Sequence, residues 1–204
     1  MRFGPDFRET HALKDGTRVT LRMIRPSDKD TLREAIGRLS PESRYRRFFA
    51  QLGEPTDAML EYLTNVDGKD HVAIVAERDS LDLKTVEPLG IARFIRLPKA
   101  PNVAEAAVTV GDWFHHRGLG KLLAATMAEA AVERGITKFR GEVLETNGPM
   151  RHLLEEIGAE QVGSGDGTVA FDVSLTGGEE TQGRLERVIR AAGQQMFEYL
   201  RHFI

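Results

Sequence analysis

No cysteine occurs among the 204 residues. That absence excludes a disulfide framework, a thiolate-ligated zinc site and a thiol nucleophile, so any sulfur chemistry must be brought by a bound cofactor. Long apolar runs are missing as well. No stretch approaches the ~20 residues that span a bilayer. Residues 1–13 mix Arg2, Asp6, Arg8 and Glu9 with Phe3 and Phe7 instead of forming the apolar centre of a signal peptide. The expected compartment is the cytoplasm. Nor is there an excess of one charge sign: 28 basic and 31 acidic residues leave a net charge of -3, which gives no bias towards nucleic acid or membrane. Internal repeats and low-complexity segments are also lacking.

What is present suits a globular core. Apolar residues make up 41% and charged residues 29%, and the length fits one domain with terminal additions. Residues 17–25 alternate Val19, Leu21 and Met23 with polar neighbours, the pattern of a half-buried strand. Pro26-Ser27-Asp28 then opens a helix to about Leu39, and Ser40-Pro41-Glu42 a second helical segment. A third helix fits 56–63, and strands fit 71–76, 88–97 and 104–110. From Gly118 the period becomes helical, with Leu119, Leu122, Leu123, Met127 and Ala130 recurring until Gly135. A strand at 139–144, a helix at 147–157 and a hairpin over 162–173, turning at Asp166-Gly167, follow. Gly177-Gly178 precedes a last amphipathic helix, which either folds back or forms a dimer seam; a monomer and a homodimer both remain open. Consecutive strands imply antiparallel pairing, and the strand–helix–strand run from 104 to 144 implies one parallel crossover. The fold class is α+β with a mixed sheet.

The chemistry is concentrated at 108–121, which contains Val108-Thr109-Val110 and then His115-His116-Arg117-Gly118-Leu119-Gly120-Lys121. A strand runs through a glycine-containing turn into a helix. Glycines admit a ligand close to the backbone. First-turn amides without internal partners and the helix dipole favour a phosphate, and Arg117 and Lys121 can add charge from the rim. A lone Gly-x-Gly equally serves helix–strand packing. The P-loop pattern fails because Leu122 follows Lys121, and the dinucleotide fingerprint lacks its third glycine. His115 and His116 have no third ligand at recognised spacing, so no metal is expected. Arg44, Arg46 and Arg47 among Tyr45, Phe48 and Phe49 read as the solvated face of a helix, and no nucleic-acid partner is expected.

His115-His116-Arg117-Gly118-Leu119-Gly120 resembles the pyrophosphate motif of the GNAT N-acetyltransferases. Val143-Leu144-Glu145-Thr146-Asn147 and Leu153-Leu154-Glu155-Glu156-Ile157-Gly158-Ala159 resemble that family's next strand and helix. Arg22-Met23-Ile24-Arg25-Pro26-Ser27-Asp28 and the run from Leu39 to Phe49 are similar to bacterial protein lysine acetyltransferases of the Pat type.

The resemblance implies a GNAT domain over 17–176, between an N-terminal extension (1–16) and a C-terminal helical extension (177–204). Its sheet would be seven-stranded and mostly antiparallel, splayed at a bulged fourth strand, 105–112, against 139–144. It implies acetyl-CoA as acetyl donor, with Val108, Thr109 and Val110 along the pantetheine arm. His115, His116, Arg117, Gly118, Leu119, Gly120 and Lys121 would lie at the pyrophosphate, and Asn147 beside the cofactor. It further implies a protein lysine acceptor, such as one on an acyl-CoA synthetase, attacking the thioester directly with Glu105 as general base; from the residues alone Asp112 is the runner-up base, with shaping the turn as its other reading. Many members carry a tyrosine seven residues after the asparagine as general acid. Leu154 stands there in this chain. Acetylation of a small amine and a silent coenzyme-A sensor are the alternatives.

Overall fold

The computed structural model describes residues 1–41, 54–79, 86–146, 148–156, 158–165 and 167–175. Two strands, β1 (Arg8–Ala12) and β2 (Arg18–Met23), lead through a 3-10 turn at Pro26–Asp28 into α1 (Lys29–Arg38). Next come α2 (Asp57–Thr64), β3 (His71–Asp79), β4 (Val86–Leu97) and β5 (Ala100–Val110). A second 3-10 turn, Asp112–Phe114, precedes α3 (Leu119–Val132). After it lie β6 (Lys138–Leu144), α4 (Gly148–Glu156), β7 (Glu160–Gly165) and β8 (Thr168–Ser174). Among the described residues no helix is long and apolar enough to cross a membrane. The second helical segment expected from residue 40 lies mostly, and the C-terminal helix wholly, outside the described residues.

The strands form one sheet in the order β1-β2-β3-β4-β5-β6-β8-β7, and the β5–β6 pair alone is parallel. The sheet therefore has eight strands, not seven. The extra one is β1, which pairs with β2 from Arg8–Arg22 to Ala12–Arg18 inside the segment read as an N-terminal extension. The sequence Arg-Glu-Thr-His-Ala carries no apolar alternation of its own. Its anchors are the flanking Phe3 and Phe7, buried in the main core with ring centroids 4.8 Å apart.

Alternation decides which side of the sheet each helix covers. Val72, Ile74, Ala92, Phe94, Ala104 and Ala106 point to one face, where they bury against Leu119, Leu123, Met127 and Ala130 of α3. Each large apolar side chain so buried contributes ~1.5–3 kcal/mol. The opposite face carries the odd-numbered partners, His71, Val75, Arg93, Glu105 and Thr109. It lies under α1 and α2, which pack on each other through Ile36, Met59, Leu60 and Leu63. Thr56 caps α2, its hydroxyl accepting from the Met59 amide at 3.2 Å.

Candidate active site

β5 and β6 stay together for only three rungs, Val103–Lys138, Ala104–Phe139 and Glu105–Arg140. Beyond them β5 pairs with β4 alone, up to Gly90–Val110, and β6 with β8 alone, up to Leu144–Thr168. A V-shaped cleft thus opens within the sheet. Against β4 the register of β5 is unbroken from Ala104 to Val110, so the parting is seen on the β6 side and not as a shift against β4.

Two backbone hydrogen bonds fix which groups line the cleft. The Gly111 amide donates to the Leu89 carbonyl on β4, and the Asn102 carbonyl accepts from Thr137 on the β6 side. Alternation then turns the amides and carbonyls of Ala106, Val108 and Val110 towards the cleft, and those of Thr109 towards β4. At the mouth, the Val110 carbonyl oxygen lies 3.0 Å from His115 Nε2. A carbonyl can only accept, so Nε2 carries the proton.

The turn between β5 and α3 is built for close approach. Asp112 Oδ2 accepts from the Ser40 amide at 2.7 Å, tying the end of α1 to this turn. His116 adopts φ 62°, and Gly118 adopts φ 88° as the N-cap of α3 with no side chain bonded to the helix amides. A Cβ built on Gly118 would meet nothing within 4 Å, so the glycine is there for its left-handed backbone. The amides of the first turn of this 14-residue helix remain available to an anion. Leu119 is buried beneath them, Gly120 is partly buried and Lys121 is exposed on the rim. Arg117 pairs with Asp15 at 2.6 Å and lies 4.9 Å from the centre of the Phe114 ring, so its charge is shared with the β1–β2 turn. That turn holds the Asp15 carboxyl at about 2, through hydrogen bonds from Thr17 and then from Arg117. An extended edge leading into an uncapped helix N-terminus fits a ligand with an amide-bearing arm and a pyrophosphate.

Glu105 is partly buried and stands at the apex of the V, in register with Ile95 on one side and Arg140 on the other. Asn147 lies outside the described residues. Leu154, at the position where the resemblance implies a tyrosine acid in many family members, is buried against Val143, Val169 and Phe171 and is part of the core in this chain.

A cavity of about 360 Å³ runs between α1 and the sheet from Arg22 to Trp113. Its walls are apolar at Ile24, Leu32, Ile36, Leu63 and Ile91. At one end Arg22 holds Asp28 at 2.8 and 2.9 Å and Glu77 at 2.8 Å. At the other, buried Arg93 donates to the Leu63 carbonyl at 2.5 Å and faces the His71 ring. Two polar atoms on this wall, Thr109 Oγ1 and Trp113 Nε1, are buried without a hydrogen-bond partner among the described residues. Arg22 and Asp28 stood in the Arg22–Asp28 motif without a role, and neither Glu77, His71 nor Arg93 was singled out from sequence; their signal exists only once β2, β3 and β4 are laid side by side.

Comparison with known proteins agrees with this geometry. The model of the acetyltransferase (GNAT) family matches residues 37–159. Acetyltransferase Pat of Mycolicibacterium smegmatis is 32% identical over 163 residues, which is 80% of this chain and 47% of that protein. The chain thus spans about half the length of that relative. An acetyltransferase of Pseudomonas aeruginosa is 30% identical over 148 residues, 72% of this chain and 77% of its own. Among solved structures, the GNAT domain of S. lividans PAT superposes with a TM-score of 0.69 at 28% identity, covering 82% of this chain and 96% of that one.

Proposed function

Because the chain belongs to the acetyltransferase (GNAT) family, we propose that it transfers acetyl from acetyl-CoA to a primary amine, a protein lysine side chain, with Glu105 as general base. The observation that carries this reading is the alignment along β5. The strand leaves a backbone edge unpaired with β6 from Ala106 to Val110, leads to the Gly118-capped helix, and begins that unpaired stretch at a carboxylate. Bound acetyl-CoA supplies an activated acetyl group as its thioester. The chain's own groups do the rest. Val108 and Val110 offer backbone groups to the pantetheine amides, and the first-turn amides of α3 hold the pyrophosphate. A lysine amine arrives protonated, with an ordinary pKa of about 10.4, and attacks only when neutral. Glu105 attracts the cation and takes its proton, directly or through water. With Leu154 in the core, the departing sulfur receives no proton from that position.

The test is Glu105→Gln with a lysine peptide as acceptor. Removing a general base lowers turnover ~10²–10⁴-fold while leaving acetyl-CoA affinity near wild type. The deficit shrinks as pH rises towards the amine's own pKa. A rate within about twofold of wild type across the profile, far below what a general base contributes, rejects Glu105 as base.

The cavity favours a second reading, acetylation of a small amine. Apolar walls ending on Thr109 Oγ1 and Trp113 Nε1 suit a compact molecule with an apolar body and a hydrogen-bonding oxygen. Comparing kcat/KM for lysine peptides and for small aliphatic and aromatic amines separates the two.

A further inference from the structure

The last rung of the β5–β6 ladder pairs Glu105 with Arg140, and the next ladder pairs Arg140 with Asp172. Residues directly opposite in a ladder share a face. Glu105, Arg140 and Asp172 therefore form one cross-strand row at the apex of the cleft. Arg140 donates from Nε to Asp172 Oδ1 at 2.7 Å and from Nη2 to Oδ2 at 2.9 Å. Asp172 is buried at 5% exposure, so this two-point contact fixes the plane of the guanidinium on a rigid strand. The hydrogen bonds to Asp172, with smaller attractions from Glu105 and Glu142, hold the guanidinium above the ordinary arginine range.

We propose that Arg140, locked by Asp172, is the positioning residue for Glu105, fixing the direction and charge state of its carboxylate where the two strands part. This rests on the reading of Glu105 as the base. An arginine on a free side chain would follow the carboxylate; one clamped by a buried aspartate makes the carboxylate follow it. Other charged groups on the neighbouring strands have contacts of their own. On β4, Arg93 lies diagonal to it, with its Nη atoms turned to Leu63 and His71, and the His71 ring is kept neutral down to about 3 by burial and by Arg93. On β6, Lys138 pairs with Glu160 of β7 at 2.8 Å, and Glu142 accepts from Thr168. On α2, Tyr62 packs beside His71. The basic residues at 44–47 lie outside the described residues.

The experiment measures kcat/KM against pH with one lysine peptide for wild type, Glu105→Gln, Arg140→Met, Arg140→Lys, Asp172→Asn and the double variant Glu105→Gln/Arg140→Met. Losing a fixed positive neighbour makes a carboxylate harder to ionise. In Arg140→Met the acidic limb therefore moves up by about one pH unit, and the rate recovers at higher pH. Arg140→Lys returns the limb towards wild type. Asp172→Asn moves it the opposite way, because the guanidinium charge is no longer shared. In the Glu105→Gln background, Arg140→Met leaves the profile unchanged. Thermal melts with acetyl-CoA check that each variant folds and binds, and Arg140→Gln replaces Arg140→Met should the latter not fold. A loss by the same factor at every pH, or an acidic limb that stays in place in a folded, cofactor-binding Arg140→Met, overturns the proposal and leaves the base reading standing. The amine's own deprotonation, near 10.4, still raises the rate in Glu105→Gln; a separate acidic limb that stays at its wild-type position in Glu105→Gln overturns the base reading itself, and this inference with it.

Discussion

His71 is partly buried beside α2, where its ring packs 5.0 Å from that of Tyr62 and its Nε2 faces the buried Arg93. Burial first, and the Arg93 charge second, lower its pKa from 6.5 to about 3. The native ring is therefore neutral across the physiological range, while the unfolded chain takes up a proton near 6.5. Acid thus favours unfolding. The contribution is fully present above pH 6.5 and is lost as pH falls from there to about 3. At 1.36 kcal/mol per pKa unit, integrating from neutral pH to pH 5 gives a loss of about 2 kcal/mol. The carboxylates held below their ordinary range, Glu9, Asp15, Asp57 and Asp67, weaken the fold only at lower pH, which leaves the interval from 7 to 5 to histidine. Urea unfolding at pH 7 and pH 5 measures the effect in wild type and in His71→Gln, whose amide oxygen accepts from Arg93 and does not titrate. Wild type should lose about 2 kcal/mol more than the variant over this interval. Equal losses in the two proteins would refute the reasoning, since the native ring would then take up its proton as readily as the unfolded chain.

Two substitutions test the β5–α3 turn. Gly120→Glu places a carboxylate in the first turn of α3, where the helix dipole tolerates it or gains ~0.3–1 kcal/mol; isothermal titration should find acetyl-CoA binding abolished while the melting temperature is held. Gly111→Ala puts a Cβ 2.6 Å from the indole of Trp113, the one tryptophan of the chain. It should cost ~1–3 kcal/mol and shift the tryptophan emission, and an unchanged spectrum with unchanged stability would show that the indole does not rest on Gly111.

Most of the fold was legible because its signals are local. Val19, Leu21 and Met23 announce β2 by alternation, and Leu119, Leu123 and Met127 announce α3 by helical spacing. The parallel crossover followed from a strand, a helix and a strand in succession. β1 escaped because it pairs through its backbone and is anchored by phenylalanines outside it, so its own side chains carry no period. The site divides in the same way. Gly118 and its neighbours form a contiguous motif; the sequence pointed to close approach of a ligand there, and the left-handed φ of Gly118 is what the structure adds. Glu105 was singled out among small residues on a strand, but its partner Arg140 is 35 positions away and Asp172 a further 32. Such rows are invisible until register is known, because a shift of one residue would turn Arg140 to the opposite face. Arg117 looked like a charge for the rim, yet its ion pair reaches back 102 positions to Asp15.

The cleft has a thermodynamic consequence that follows from the topology. Between Glu105 and Gly111, β5 is paired on one side only, so it forms a sheet edge inside the sheet. An exposed edge ordinarily recruits another strand. Here β6, itself paired with β8, faces it across the cleft, and on the function proposed above what enters would be slender, extended and able to bond alternate residues, Val108 and Val110, spaced ~6.6–6.8 Å apart. A pantetheine arm with two amides meets that description; a polypeptide strand with side chains on both faces is wider. Backbone groups left in the cleft without a partner cost ~1–3 kcal/mol each when water cannot reach them. His115 already bonds the Val110 carbonyl, which reduces that cost at the mouth and leaves the Val110 amide and the deeper groups to a ligand. On the function proposed above, a bound ligand would complete the sheet at its centre, between the half that holds α1 and α2 and the half built from β6, β7 and β8. A ligand present at about 100 times its Kd stabilises the native state by about 2.7 kcal/mol, and on that reading the contacts that supply it lie on the seam that joins the two halves.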